Sequence, residues 1–129
     1  MSYPFEETKY LCVSSGLIGV SALYMYIYDS TLSFLLATLC LTSINHWRKY
    51  VENGIRQRLD IACVFLCGLY IAWKTLCNKN EFKLYLFFSI LVCLSIFFFI
   101  SMRGGCHWVV FHASLHLYLS FFVPLLYIL

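Results

Sequence analysis

Charge in this chain clusters in short stretches around five long apolar runs, and no other feature restricts its fold as much. The runs cover residues 10–28, 31–47, 60–77, 82–102 and 106–129. A helix needs about 20 apolar residues to cross the hydrocarbon core of a bilayer, and somewhat fewer when polar flanks snorkel. Apolar side chains make up 62% of the 129 residues and charged ones 12%, with a mean hydropathy of +0.81. A water-soluble domain of this size would have too little polar surface to cover itself. The pattern predicts an all-α fold, a polytopic transmembrane helical bundle of about five spans, formed by residues 1–129 as a single domain.

The connections are short. Asp29 and Ser30 join the first two runs, and Gly104-Gly105 supplies a turn before the last. The longest loop, 48–59, contains the turn dipeptide Asn53-Gly54. No basic region precedes the first run and no A-x-A pattern follows it, so it reads as a retained span and not a cleaved signal. Seven cysteines are scattered without a C-x-x-C pair, which speaks against a zinc ribbon or a thioredoxin-type motif. Cys77 and Cys106, near run ends, are candidates for acylation. The net charge of +3 comes without a long basic tract, so nucleic acid is not an expected partner. The bilayer is.

Basic residues favour the cytosolic side of a membrane. One side holds Lys9, Arg48, Lys49, Arg56, Arg58 and Arg103, and the other Lys74, Lys79 and Lys83, six against three. That bias predicts an integral, multi-pass protein with a cytosolic N-terminus and a C-terminus on the far side. Trp47, Trp73 and Trp108, close to run ends, fit an interfacial aromatic belt.

Four histidines stand out in so apolar a chain. Thr42, Ser43 and His46 lie at the exit of the second run. Asp60 opens the third. His107, His112 and His116 lie near the start of the fifth. Alternating spans bring all three places to the same, basic side. At about 1.5 Å of rise per residue, His112 sits about two turns in from the glycine turn, a depth comparable to that of His46. Residues four apart share a helix face, so His112 pairs with His116 and Thr42 with His46. Two imidazoles so spaced, a third from another helix and a water make the open tetrahedron of a catalytic zinc. Asp60 would hold that water or take its proton, and Thr42 or Ser43 would donate to a developing oxyanion.

The string Thr42-Ser43-Ile44-Asn45-His46, then Asp60, then His112-Ala113-Ser114-Leu115-His116 resembles the signature of a superfamily of membrane hydrolases. Alkaline ceramidases and the progestin/adipoQ receptors belong to it. These proteins carry Ser-x-x-x-His late in the second span, Asp early in the third and His-x-x-x-His in the last. The resemblance implies Zn2+ held by His46, His112 and His116, with Asp60 serving the water. Thr42 stands where the family has Ser, keeping the hydroxyl, and Ser43 is one place out of register. It also implies a lipid amide, such as a ceramide, as substrate. The family has seven spans against five here, so two middle spans would be missing, which preserves the alternation but removes walls of a lipid cavity.

Each residue also has a plainer reading. An intramembrane His serves as a helix–helix hydrogen-bond partner, and His107, five residues from His112, fits that role. His46, before Trp47 and Arg48, reads as interfacial. Asp60 reads as a helix N-terminal acid or an ion-pair partner of Arg56 or Arg58. Thr42 and Ser43 read as back-bonded to their own helix.

Two classes of function follow. One is a zinc-dependent intramembrane hydrolase of a lipid amide. The other is a non-enzymatic small membrane protein that scaffolds or modulates a partner, with a zinc-binding relic of the family between the two. A thin five-span bundle has reason to dimerise and close its cavity, although no small-xxx-small stripe dictates it.

Overall fold

A computed structural model of the chain describes residues 5–49, 54–78, 80–102 and 108–128. Within them the chain forms five helices: α1 Phe5–Met25, α2 Ser30–Trp47, α3 Ile55–Asn78, α4 Glu81–Met102 and α5 Trp108–Ile128. The all-α expectation holds. The helices follow one another around a ring. α1 packs on both α2 and α5, α2 on α3, and α5 on α4, while α3 and α4 touch least.

Helix ends differ from the apolar runs because helix formation does not require apolarity. α1 starts at Phe5, ahead of the first run, and stops at Met25. The Tyr28 and Asp29 amides then close a turn onto the Met25 carbonyl at 3.0 and 2.8 Å. Asp29 forces the reversal: its carboxylate caps α2, accepting from the Thr31 and Leu32 amides at 3.1 Å each. α3 starts at Ile55, since Arg56, Gln57 and Arg58 are good helix formers, so the loop expected over 48–59 is shorter. Asn80 caps α4 in the same manner as Asp29 caps α2, accepting from Phe82 and Lys83. Asn53 and the Gly104-Gly105 turn lie outside the described residues.

The core has a coiled-coil register between α1 and α2. Thr8, Leu11, Ser15, Ile18, Ala22 and Met25 are buried on α1, alternating steps of three and four. Leu32, Leu36, Leu39, Ser43 and His46 repeat that rhythm on α2. The two helices approach closely at Gly19, where an added Cβ would meet Cys40 Sγ at 2.9 Å. The Ser33 hydroxyl donates to the Ala22 carbonyl across the same interface at 2.6 Å. Cys67 and Ile71 of α3, Phe87 and Ile90 of α4, and Val123 and Leu126 of α5 complete the core. Beyond Ile90, no α4 residue up to Ile100 is buried. The interior is therefore filled toward the Asp29 end and thinner toward the other.

Among the described residues, α3 over Ile55–Cys77 and α4 over Glu81–Ile100 are long and apolar enough to cross a membrane. The apolar part of α5, His112–Leu126, is shorter. The expectation of five spans is thus matched by five helices but, on length and apolarity, by two. α1 and α2 fall short: Lys9, Asn45 and His46 lie within them, and Ser14, Ser15, Ser21, Ser33, Thr38, Thr42 and Ser43 interrupt their apolar residues. Most of those hydroxyls are turned inward. Outward faces are apolar: Val64, Phe65, Leu69, Tyr85, Phe88 and Val92 are all more than half exposed.

Candidate functional site

α2 and α3 run antiparallel, so the last turns of α2 meet the first turns of α3. This brings Thr42 to Asp60. The Thr42 hydroxyl lies 3.2 Å from Asp60 Oδ1 and 3.0 Å from its own Leu39 carbonyl. Ser43, 2% exposed, hydrogen-bonds the same carboxylate. Asp60 is buried at 9% exposure. Its two hydroxyl partners satisfy a carboxylate that would otherwise be costly to bury. The reading of Asp60 as an exposed ion-pair partner is corrected by that burial. So is the reading that Thr42 and Ser43 only back-bond.

His112 and His116 share a face of α5, as their spacing requires. Their rings meet edge to face, 5.1 Å between centroids and 88° between planes. His116 is buried against α1. Its Nδ1 lies 2.8 Å from Ser14 Oγ and 3.4 Å from Ser15 Oγ.

Trp47 joins the two halves. Its ring lies 4.4 Å from His46 and 4.8 Å from His112. At 5% exposure Trp47 is a core residue and not part of an interfacial belt. His46 is 3% exposed, so it is not interfacial either. Both are buried because they occupy the inward register of α2, against α5, although both sit at the helix end. His46 and His116 both lie within electrostatic range of His112.

The structure therefore gathers Thr42, Ser43, His46, Asp60, His112 and His116 at one end of the ring. It adds Ser14, Ser15 and Trp47, which sequence reasoning missed. Among the described residues, no group of three His, Cys, Asp or Glu side chains is arranged to hold a metal ion. The pair at 112 and 116 does have a suitable spacing. A Zn–N bond of about 2.1 Å and a tetrahedral angle of about 109° put two imidazole centroids about 5 Å apart. A third imidazole requires His46 to turn from its contact with Trp47. His107 and Cys106 lie outside the described residues. The thiols of Cys12, Cys40, Cys63, Cys67, Cys77 and Cys93 are free, and Cys77 is exposed.

No family model, curated protein or solved structure matches this chain.

Proposed function

We propose that the chain is a multi-span membrane protein whose polar end is a zinc-dependent hydrolase site for a lipid amide. The supporting observation is the His112–His116 pair, 5.1 Å apart, at the same end of the ring as a buried Asp60 held by two hydroxyls. Polar groups from α1, α2, α3 and α5 converge there, inside an otherwise apolar bundle. Buried ionisable groups in such a setting mark functional sites.

In this reading His112, His116 and a reoriented His46 would hold Zn2+, whose chemistry there would be to acidify a water and polarise the amide carbonyl. Asp60 would take a proton from the attacking water and return one to the leaving amine. The Thr42 hydroxyl, already beside Asp60, donates to the developing oxyanion. The apolar outer faces of α3 and α4 suit a bilayer. The basic residues of the 48–59 region favour the cytosolic side for this end, where the scissile amide would sit at headgroup level with its chains in the bundle.

Zinc content of the purified full chain in detergent tests the reading. The expected result is one zinc per chain, lost in His112→Ala and His116→Ala. Asp60→Asn keeps the metal and loses hydrolysis of a long-chain ceramide. Wild-type protein without zinc after exposure to the metal overturns the reading.

A second reading rests on Trp47. Its contact with both His46 and His112 is a packing arrangement. A non-enzymatic membrane protein, or a zinc-binding relic, would retain it. Zinc bound without turnover on any lipid amide selects the relic.

A further inference from the structure

The two rims of the ring carry their positive charge differently. At the Asp29 rim, Lys74 reaches the Asp29 carboxylate and lies over the Tyr70 and Trp73 rings. At the opposite rim Arg48 and Lys49 follow α2, and Arg56 and Arg58 lie in the first turn of α3. Residues 48–58 hold these four cations against one carboxylate, that of Glu52, which lies outside the described residues. Among the described residues, no carboxylate pairs with any of the four. Asp60, just beyond Arg58, is engaged by Thr42 and Ser43 instead. Arg48 Nε donates to Asn45 Oδ1 at 3.0 Å, an uncharged partner that leaves the positive charge uncompensated. Arg48, Lys49 and Arg58 are exposed, and Arg56 is half-buried.

Lys49, Gly54, Ile55 and Arg56 line a recess of about 280 Å³ at this rim. Its walls are mostly apolar, as the alkyl stems of lysine and arginine allow. Ile55 is 75% exposed. Two cations set in apolar walls have a definite complement, a phosphate joined to hydrocarbon. A bare anion leaves the apolar walls in water, and a lipid without net charge leaves the cations uncompensated.

We propose that this rim docks an anionic phospholipid, with the headgroup phosphate at Lys49 and Arg56, the adjoining hydrocarbon against Ile55 and the recess, and Arg48 and Arg58 flanking. A guanidinium grips phosphate through paired N–H donors, and an ammonium serves as a point charge. The bias of basic residues favours the cytosolic leaflet for this end, and that leaflet is the anionic one. Each cation held near an anionic surface raises binding about fivefold. The proposal uses the bilayer but neither zinc nor hydrolysis.

Energy transfer from the tryptophans to phosphatidylglycerol with a dansyl-labelled tail reads binding to the full chain in neutral detergent micelles. Unlabelled phosphatidylglycerol should displace the probe far better than phosphatidylcholine does. Equal displacement by the two lipids overturns the proposal and leaves these cations as topology signals alone. Lys49→Gln/Arg56→Gln should weaken phosphatidylglycerol binding about 25-fold, two steps of about fivefold. Lys83→Gln, at the opposite rim, should leave it unchanged. Wild-type affinity in the double variant, or an equal loss in Lys83→Gln, also overturns the proposal. Salt gives a reading on the wild type without any variant. Raising sodium chloride from about 0.1 to about 1 M shortens the screening length from about 10 to about 3 Å and should release phosphatidylglycerol. Binding indifferent to salt sinks the electrostatic dock. Inorganic phosphate in large excess should not displace the probe, and displacement by it assigns the recess to a bare anion and overturns the lipid.

Discussion

The Tyr70 hydroxyl lies 2.9 Å from one carboxylate oxygen of Asp29 and 2.8 Å from the other. Asp29 at the same time caps α2, and Lys74 Nζ approaches its Oδ2 at 3.9 Å. The α1–α2 turn, the start of α2 and the last third of α3 are thereby tied at one carboxylate. Lys74 also lies over the Tyr70 and Trp73 rings, at 5.8 and 5.7 Å. Tyr70→Phe should lower stability by about 1.5–3 kcal/mol, the range for a hydrogen bond to a charged group. Asp29→Asn, which keeps a capping oxygen, should cost less than Asp29→Ala, which loses cap and partner together. Reversible unfolding in mixed micelles checks the order.

Gly19 and Gly16 are both glycines of α1, and they should respond oppositely to alanine. At Gly19 the new Cβ meets Cys40 Sγ at 2.9 Å, whereas at Gly16 it meets nothing within 4 Å. Gly19→Ala should destabilise by about 1–3 kcal/mol through overpacking. Adding Cys40→Ala should recover most of that loss. Gly16→Ala should be neutral or stabilising by up to about 1 kcal/mol, from helix propensity. Thermal melts of the three variants decide the matter.

Asp60 and Thr42 separate stability from chemistry. Asp60→Asn keeps an oxygen for Thr42 and Ser43, so its melting temperature should stay near wild type while hydrolysis is lost. Thr42→Val removes the hydroxyl at nearly constant volume and should cost about 0.6–2 kcal/mol, as interhelical hydrogen bonds in membrane bundles do. Thr42→Ser should restore both properties. Activity retained in Asp60→Asn counts against Asp60 as the proton carrier.

Zinc itself should stabilise the fold by mass action. At a free concentration 100 times the dissociation constant the gain is about 2.7 kcal/mol. Melting temperature should therefore rise with added zinc, fall again with chelator, and be unresponsive in His116→Ala. A rise that persists in His116→Ala places the ion elsewhere.

Local and periodic features of this fold were legible in the sequence. The five helices follow from the apolar runs, and the turn falls over residues 26–29, a little ahead of the expected Asp29-Ser30 link. The meeting of Thr42 with Asp60 follows from antiparallel neighbours joined by a short loop. The face shared by His112 and His116 follows from helix periodicity. Contacts made at long range were not legible. Ser14 and His116 are 102 residues apart, and a serine in an apolar run looks like any small helix residue. Trp47 reads as interfacial because it ends a run, but only the packing of α5 on that side reveals it as core. The number of spans was read from the length of the apolar runs, which does not show that the ring turns most serines of α1 and α2 inward.

The tie at Asp29 fixes one rim of the ring, while α3 and α4 are joined by a short link near that rim and barely touch elsewhere. The α3–α4 seam is thus the weakest closure of the ring, and the imidazoles and Asp60 lie at the end away from the Asp29 tie. In the hydrolase reading proposed above, that seam is the side from which an aliphatic chain would come to them.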